Sequence, residues 1–252
     1  MSSQYNGKTI IIGVIPARYN SSRFHGKIIA DIAGKPMIQW VYERAKLSGI
    51  LDRLIVAVDD PRVKTVVENF GGEVILTGTH HQSGTDRIAE AVENIDCHII
   101  VNIQGDQPLI DPIMIEETVQ PMMENPEILM STLKRTIGKE EYYDPGVVKV
   151  VVDDQNYALY FSRSLIPYPQ KDIPLKVYEH VGIYAYTKDF LKTITELPLG
   201  YLERIESLEQ LRVLEKGYKI YVAETKADSI TGISVDTIED LNRVEKIIKG
   251  IK

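Results

Sequence analysis

Residues 9–17, TIIIGVIPA, indicate the fold class, because a short run this rich in β-branched residues is typical of a strand buried on both faces of a sheet. Similar runs recur at 54–59 (LIVAVD), 73–77 (EVILT) and 98–106 (HIIVNIQGD), with amphipathic segments between them. Strands that alternate with helices are typical of βαβ units. The sequence therefore predicts an α/β fold of the Rossmann-like kind, with a doubly wound and mostly parallel sheet.

The amphipathic segments carry helix signals. Pro61 stands where a first-turn proline is tolerated, and Gly71 and Gly72 end that segment before the next strand. The segments predicted to be helical are 37–49 (MIQWVYERAKLSG), 61–72 (PRVKTVVENFGG) and 85–96 (TDRIAEAVENID).

The pattern changes after about residue 130. Three strand-like runs at 149–154, 157–163 and 179–187 follow one another without a long helix after each. We interpret residues 131–195 as a smaller mixed or antiparallel insertion within a single domain of residues 1–252. A strongly helical segment at 201–217, a strand at 219–225 and a last helix at 237–250 are predicted to follow.

Composition narrows the function classes. The chain has 252 residues, 44% of them hydrophobic and 26% charged, and a net charge of −7. The negative charge argues against nucleic acid as a partner, and the apolar runs are shorter than the roughly 20 residues of a membrane span. The start, MSSQYNGK, lacks the features of a secretory signal. The single Cys97 reads as a buried small hydrophobe, so we expect a cytoplasmic protein.

A cationic loop, 16–27 (PARYNSSRFHGK), leaves the end of the first strand and contains Arg18, Arg23 and Lys27. Ligands of open α/β sheets gather at the carboxyl ends of strands, so three cations there suggest a triphosphate site. The alternative is three solvated surface cations. The loop matches neither the P-loop pattern nor G-x-G-x-x-G, which argues against P-loop kinases and dinucleotide dehydrogenases.

Two aspartates are candidate metal ligands. Asp106 follows the buried run HIIVNI, at the edge of the sheet where the cationic loop is expected, and magnesium is commonly held by one or two carboxylates together with phosphates. An Asp at a turn also has purely local explanations. Asp236, judged from the residues alone, is better explained as an N-cap of the last helix.

Taken together, these motifs resemble the 3-deoxy-manno-octulosonate cytidylyltransferases, which are relatives of the sialic acid cytidylyltransferases. The resemblance covers nearly the whole chain and follows the family's order. The matching segments are PARYNSSRFHGK, AGKPMI, VAVDD, HQSGTDR, VNIQGDQP, YALYFSR, HVGIYAY, LEQLR and VDT.

The resemblance implies transfer of CMP from CTP to an acidic eight-carbon sugar, in lipopolysaccharide biosynthesis. It assigns the CTP phosphates to Arg18, Ser22, Arg23 and Lys27, and the cytosine and ribose to Ser83, Gly84, Thr85 and Arg87. It also implies that Asp106 and Asp236 together bind Mg²⁺, which replaces the N-cap interpretation of Asp236. The implied catalytic residues are Arg18, Lys27, Asp106 and Asp236.

The resemblance also implies a sugar pocket and a homodimer formed through the mixed region. An arginine suits the sugar carboxylate, because its guanidinium fork can donate two charge-assisted hydrogen bonds. His180 is expected to bind rather than catalyse. The implied sugar-binding residues are Gln104, Arg163, His180, Tyr184, Glu209 and Gln210.

Three positions depart from the family's pattern. The family usually has proline at the positions of His25 and Ile28, and glutamate at the position of Gln107. The loss of a carboxylate beside the metal site keeps other acceptors open, namely the 8-amino analogue of the sugar or another acidic sugar of the sialic type. A catalytically silent nucleotide-binding protein is the alternative from another class.

Overall fold

The computed structural model describes residues 8–20 and 24–250. The strands are β1 (Ile11–Ala17), β2 (Asp31–Ile32), β3 (Lys35–Pro36), β4 (Arg53–Val58), β5 (Glu73–Leu76), β6 (Ile99–Asn102), β7 (Met130–Thr136), β8 (Lys149–Val152), β9 (Ala158–Ser162), β10 (Tyr178–Thr187) and β11 (Tyr221–Glu224). The α-helices are α1 (Met37–Ala45), α2 (Pro61–Asn69), α3 (Gly84–Val92), α4 (Pro112–Glu124), α5 (Lys188–Glu196), α6 (Tyr201–Glu206), α7 (Gln210–Glu215) and α8 (Ile238–Ile248). The chain forms two compact units, residues 1–116 with 227–252 and residues 117–226.

The first unit contains four parallel strands in the order β6-β1-β4-β5, which confirms the predicted α/β fold. The chain winds outward from β1 through β4 to β5 and then returns to place β6 on the other side of β1. Residues 54–58 of β4 are all buried, as expected for a strand covered on both faces. The point between β1 and β6 is therefore the topological switch of this sheet.

Helices α2 and α3 of the first unit begin at capping residues that are recognisable in the sequence. Asp60 caps α2 by accepting a hydrogen bond from the amide of Arg62, and Pro61 occupies the first turn as predicted. Ser83 and Asp86 form a reciprocal capping box at the start of α3. The helix predicted at 85–96 is thus confirmed as α3 (Gly84–Val92).

The second unit has mixed strand pairing. Strand β10 pairs antiparallel with β7 and β8, β8 pairs antiparallel with β9, and β11 pairs parallel with β7. The sequence predicted the mixed character at 131–195. The unit is wider than that range, because β11 pairs with residues of β7 that precede it by 90 positions, and the helices between the two strands belong to the same unit.

Of two further predictions, the structure contradicts one, a single helix at 201–217, and confirms the other, the burial of Cys97. The segment 201–217 forms two short helices rather than one, because Ser207 between them adopts a left-handed conformation with φ of 53°. Cys97 is buried, as predicted. Among residues 8–20 and 24–250, no helix is both long and apolar enough to cross a bilayer.

Candidate active site

The candidate site lies at the carboxyl ends of the strands of the first unit. Arg18 directly follows β1, and Gln104 and Asp106 come just after β6, the neighbouring parallel strand. Asp59 follows β4 in the same way. The topology therefore delivers charged and polar side chains to one edge of the sheet, where open α/β folds bind ligands.

A cleft with a volume of about 280 Å³ opens at this edge. The predicted site residues that line it are Arg18, Lys27, Ser83, Gly84, Arg87, Gln104, Asp106 and Asp236. Thr85, by contrast, is only 3% exposed and does not line the cleft. The predicted phosphate ligands Ser22 and Arg23 fall outside the described residues.

Lys27 joins the two candidate metal ligands. Its ammonium nitrogen lies 2.8 Å from Oδ2 of Asp106 and 2.9 Å from Oδ1 of Asp236, and it also donates to the carbonyl of Val235 at 3.1 Å. Burial lowers the pKa of Lys27, but the charges and hydrogen bonds of the two carboxylates outweigh that effect and raise the pKa above its usual value. The ammonium is therefore charged at neutral pH.

Asp236 reaches this position through a backbone contact and does not cap the helix. The amide of Val235 donates to the carbonyl of Asp106 at 2.8 Å, which holds the segment before α8 against the loop after β6. Thr237, one residue later, is the N-cap of α8 and forms a capping box with Asp240. The N-cap interpretation of Asp236, drawn from the residues alone, is wrong by one position.

The donor set fits a magnesium ion. Oxygens from Asp106 and Asp236 converge on one cationic nitrogen, so the two carboxylates already share a single cation position. Both side chains are also partly exposed, at 29% and 32%, which leaves access for phosphate oxygens and water. Magnesium favours such oxygen ligands and commonly keeps part of its shell as phosphate and water.

A buried arginine organises the other wall of the cleft. Arg87, on α3, donates to Oγ1 of Thr77 at 2.6 Å, to the carbonyl of Gly78 at 3.3 Å and to Oδ2 of Asp59 at 3.1 Å. Asp59 also accepts from the amide of Tyr19 at 3.0 Å, so one carboxylate connects the cationic loop with α3. The sequence did not predict this role of Asp59, although the residue lies in the VAVDD segment that matches the family's pattern.

Gly105 allows the loop after β6 to approach β1. A Cβ atom at this position would lie 2.9 Å from Cδ1 of Ile28 and 3.0 Å from the carbonyl oxygen of Pro16. The second contact involves backbone that cannot rotate away. A glycine is therefore needed to bring Asp106 to the edge where Arg18 leaves β1.

The three departures from the family's pattern have different surroundings. His25 is exposed and lies edge-on to the ring of Tyr19, with 4.9 Å between centroids, whereas Ile28 is buried. Gln107 is 6% exposed, and its Nε2 lies 3.5 Å from Oγ of Ser234. The residue beside Asp106 is thus a buried neutral amide.

In the second unit, a β-bulge in β10 lies between two of the predicted sugar-binding residues, His180 and Tyr184. The pairing with β7 shifts between Val181 and Tyr184, and Oγ1 of Thr132 lies 2.7 Å from the carbonyl of Ile183. The ring centroids of His180 and Tyr184 are only 5.3 Å apart, whereas residues four apart in a regular strand are separated by roughly 13 Å. The bulge therefore brings two of the predicted sugar ligands together.

His180 is neutral. Burial lowers its pKa to about 3, and its Nε2 lies 3.0 Å from Oγ1 of Thr132. Because the Thr132 hydroxyl donates to Ile183, the imidazole must be the donor in that contact, which places its proton on Nε2. A permanently neutral ring fits the expected binding role and does not suit proton transfer near pH 7.

Tyr184 and Glu209 are also close enough to interact. Burial raises the pKa of Tyr184 well above its usual range, and the charges of Tyr186 and Glu209 add to that effect. Tyr184 is therefore a neutral hydroxyl. Gln210, the next predicted sugar ligand, is buried in the first turn of α7.

Arg163 is held mainly by backbone carbonyls. It donates to the carbonyls of Glu206 at 2.8 Å and Pro145 at 2.9 Å, and the Glu206 carboxylate in turn accepts from the Arg163 amide and from Ser162. These side-chain contacts use two of the five guanidinium N–H donors. The buried ammonium of Lys149 donates to the Arg163 carbonyl at 2.8 Å, so Glu206 and Lys149 are anchors that sequence reasoning missed.

The chain is similar to known cytidylyltransferases. A family model described as Cytidylyltransferase matches residues 12–220. The chain is 51% identical over 251 residues to a 3-deoxy-manno-octulosonate cytidylyltransferase of Syntrophotalea carbinolica, covering 96% of this chain and 99% of that protein. It is also 51% identical over 241 residues to an 8-amino-3,8-dideoxy-manno-octulosonate cytidylyltransferase of Shewanella amazonensis, covering 94% and 97%.

A solved structure gives the same result. The structure of CMP:2-keto-3-deoxy-manno-octonic acid synthetase complexed with CTP aligns with a TM-score of 0.92 and 44% identity, covering 96% of this chain and 99% of that one. The fold, the sequence motifs and the full-length identities therefore agree. The chain belongs to the cytidylyltransferase family, among the 3-deoxy-manno-octulosonate cytidylyltransferases and their 8-amino relatives.

Proposed function

We propose that the chain transfers CMP from CTP to the anomeric hydroxyl of 3-deoxy-manno-octulosonate. The sugar oxygen forms a bond to the α-phosphorus, and the bond between that phosphorus and the oxygen bridging to the β-phosphate breaks. Pyrophosphate leaves with the bonding electron pair, and the hydroxyl proton passes to solvent. Catalysis of such a transfer rests on positioning and on neutralising charge.

The observation that carries the proposal is the convergence of Asp106, Asp236 and Lys27 in the cleft. Two carboxylates around one cation, next to Arg18, give both the ligands for a divalent ion and the positive charge for a triphosphate. Lys27 and Arg18 would neutralise charge on the leaving pyrophosphate. The carboxylates alone would repel phosphate, which supports the proposal that a metal ion binds between them and the triphosphate.

We propose Mg²⁺ as the ion that Asp106 and Asp236 hold. When bound, it supplies Lewis-acid polarisation of the α-phosphate and lowers the pKa of the attacking hydroxyl. Lys27, released from its two carboxylate partners, pairs with phosphate instead. A lysine ammonium beside a phosphate stays charged at neutral pH, so Lys27 would remain a cation in that role.

We assign the nucleoside of CTP to the start of α3. Ser83, Gly84 and Arg87 line the cleft, and Gly84 packs closely enough on Pro16 that a Cβ would come within 3.2 Å of its ring. Thr85 supports this turn from a buried position. Ser22 and Arg23 complete the proposed phosphate contacts by the family's pattern.

We keep the acidic sugar assigned to the polar residues that the family's pattern implies, each within its own unit. Gln104 lines the cleft of the first unit, and in the second unit His180 and Tyr184 offer neutral hydrogen-bonding groups. Glu209 and Gln210 suit sugar hydroxyls, and Arg163 keeps guanidinium donors for a carboxylate. His180 and Tyr184 together therefore fit a polyol that needs no proton transfer from them.

The 8-amino sugar is the second candidate acceptor, because the chain is equally identical, at 51%, to one relative named for each sugar. Gln107 also replaces a charged neighbour of Asp106 with a neutral amide. Incubation with both acceptors at equal concentration, followed by mass spectrometry of the CMP-sugars, separates the candidates. Predominance of the 8-amino product would overturn the first choice.

Pyrophosphate release tests the proposed chemistry. Release should require CTP, Mg²⁺ and the sugar together, and Asp106→Asn or Asp236→Asn should reduce it by orders of magnitude while the circular dichroism spectrum stays unchanged. Asp228→Asn is the matched control, because Asp228 is an exposed cap that Asn replaces well. A fully active Asp106→Asn protein would contradict the metal assignment.

We further propose a homodimer formed through the second unit. Several large apolar side chains of this unit are 62–78% exposed, and contact with a second copy of the chain would remove their apolar surface from water. They are Leu159, Tyr168, Ile173, Leu199, Tyr201 and Ile205. Sedimentation at micromolar concentration should give twice the mass of one chain, and a single-chain mass would refute the dimer.

We place the reaction in the cytoplasm and in lipopolysaccharide biosynthesis. CTP is a cytoplasmic nucleotide, and a CMP-activated acidic sugar is a donor for a glycosyl transfer to lipid. Deletion of the gene should stop incorporation of the sugar into the lipid, and addition of the CMP-sugar to membranes should restore it. Unchanged lipid in the deletion strain would contradict this role.

A further inference from the structure

Three potential metal ligands cluster beside the cleft, apart from the aspartate pair. They are the ring nitrogens of His80 and His81 and a carboxylate oxygen of Glu90, and all three ligand atoms lie within 4.8 Å of one another. His81 contacts the Glu90 carboxylate directly. The rings of His80 and His81 lie 4.3 Å apart, so both imidazoles face the same space.

Backbone hydrogen bonds position the Glu90 carboxylate of this cluster. The amide of Gly78 donates to both carboxylate oxygens of Glu90 at 3.1 Å, which fixes the carboxylate against the chain that carries the histidines. The Gly78 carbonyl accepts from the buried Arg87. Backbone and arginine contacts of this kind act as the outer shell that orients ligands in metal sites.

The ligand chemistry selects the kind of ion. Two imidazoles and one carboxylate suit Zn²⁺, Co²⁺ or Ni²⁺, whereas Mg²⁺ prefers oxygen ligands only. His80 is exposed, and the ligand atoms need to close by only about 1 to 2 Å to bind one ion at the usual distances near 2 Å.

We propose that His80, His81 and Glu90 form a binding site for a divalent transition metal such as Zn²⁺, separate from the Asp106 and Asp236 pair. Three protein ligands leave room for water on the ion. Because His81 also lines the cleft and Gly78 contacts Arg87, the ion fixes the segment from Gly78 to Ser83 at the edge of the proposed nucleotide site. The site does not depend on the proposed transferase activity.

Calorimetric titration of the metal-free chain with Zn²⁺, without nucleotide and with millimolar Mg²⁺ present to occupy oxygen-only sites, tests the proposal. One ion should bind per chain. His80→Asn and Glu90→Gln should each weaken binding at least tenfold, since even loss of an outer-shell partner costs about 10–100-fold. Glu68→Gln, on the exposed face of α2, is the matched control and should bind as wild type does.

A second readout identifies the ligands. With Co²⁺, wild-type protein should show visible absorption bands typical of nitrogen and oxygen ligands with fewer than six partners, and these bands should weaken in His80→Asn. Because His80 is exposed, this variant should fold normally, which thermal unfolding verifies. No Zn²⁺ binding by wild type, or equal binding by wild type, His80→Asn and Glu90→Gln, would overturn the site.

Discussion

Replacing Asp59 with Asn should both destabilise the protein and weaken CTP binding. Asp59 accepts from the backbone amide of Tyr19 and from Nη2 of Arg87, at 3.0 and 3.1 Å. An amide side chain has one acceptor oxygen, so one of these two donors would face an NH₂ group instead. The substitution also removes the negative charge that pairs with the guanidinium of Arg87, a residue that lines the cleft.

The magnitude follows from burial. The side chain of Arg87 is 4% exposed and that of Asp59 is 15% exposed, so the pair is far less screened than a surface ion pair. Removing one partner of a buried pair leaves an uncompensated charge, which costs about 3–5 kcal/mol. We expect the free energy of unfolding to fall by about that amount.

Urea unfolding and CTP titration measure the two effects. Asp60→Asn is the matched control, because Asn caps a helix as well as Asp does, and the ion pair of Asp60 involves Arg62, whose side chain is 61% exposed and therefore screened by water. Asp59→Asn should unfold at lower urea and bind CTP more weakly, while Asp60→Asn should resemble wild type in both respects. Equal unfolding midpoints for the two variants would refute the proposed role of Asp59.

Three further predictions concern residues elsewhere. Burial lowers the pKa of His180 to about 3, so the contribution of the neutral ring to stability is fully present above about pH 6.5 and is lost as the pH falls toward 3. The urea midpoint of His180→Gln should therefore fall less between pH 7 and pH 4.5 than that of the wild type. An unchanged slope would refute this prediction. Gly105→Ala should lower kcat strongly, because the added methyl group displaces the loop that carries Asp106. Gly49→Ala is the control and should leave kcat unchanged, because a Cβ atom there meets nothing within 4 Å. Equal kcat values for the two variants would refute the steric argument. Lys149→Met should lower the free energy of unfolding, measured by urea titration, by about 3 kcal/mol or more. Three backbone carbonyls lose their hydrogen-bond donor in this variant, at a cost of about 1–3 kcal/mol each. Wild-type stability of the variant would contradict this prediction and show that those carbonyls find other partners.

The parallel strands and most helix starts could be predicted from sequence because their signals are local. The apolar run at 9–17 is buried wherever its partners lie, and Ser83 with Asp86 caps a helix within four residues. The break at Ser207 could not be predicted in this way, since an apolar and charged helical pattern continues on both sides of it. A left-handed serine has no distinctive sequence signal.

The site was predicted unevenly for a similar reason. Asp106 was identified from its place after a buried strand, but Asp236 needed the family resemblance, because its partner Lys27 is 209 residues away. Asp59 and Glu206 had no local signal, as each acts through a partner on another element. Long-range pairs of this kind become visible only when the chain is folded.

Phosphorus NMR of the wild-type protein with CTP, Mg²⁺ and 3-deoxy-manno-octulosonate tests the central claim most directly. The three triphosphate signals of CTP should decline together while a phosphodiester signal of the CMP-sugar and a pyrophosphate signal grow, with the pyrophosphate signal twice as intense because that product contains two phosphorus atoms. The proposed reaction accounts for every phosphorus atom in those two products. Unchanged CTP with this sugar and with its 8-amino analogue, or release of inorganic phosphate in place of pyrophosphate, would contradict it.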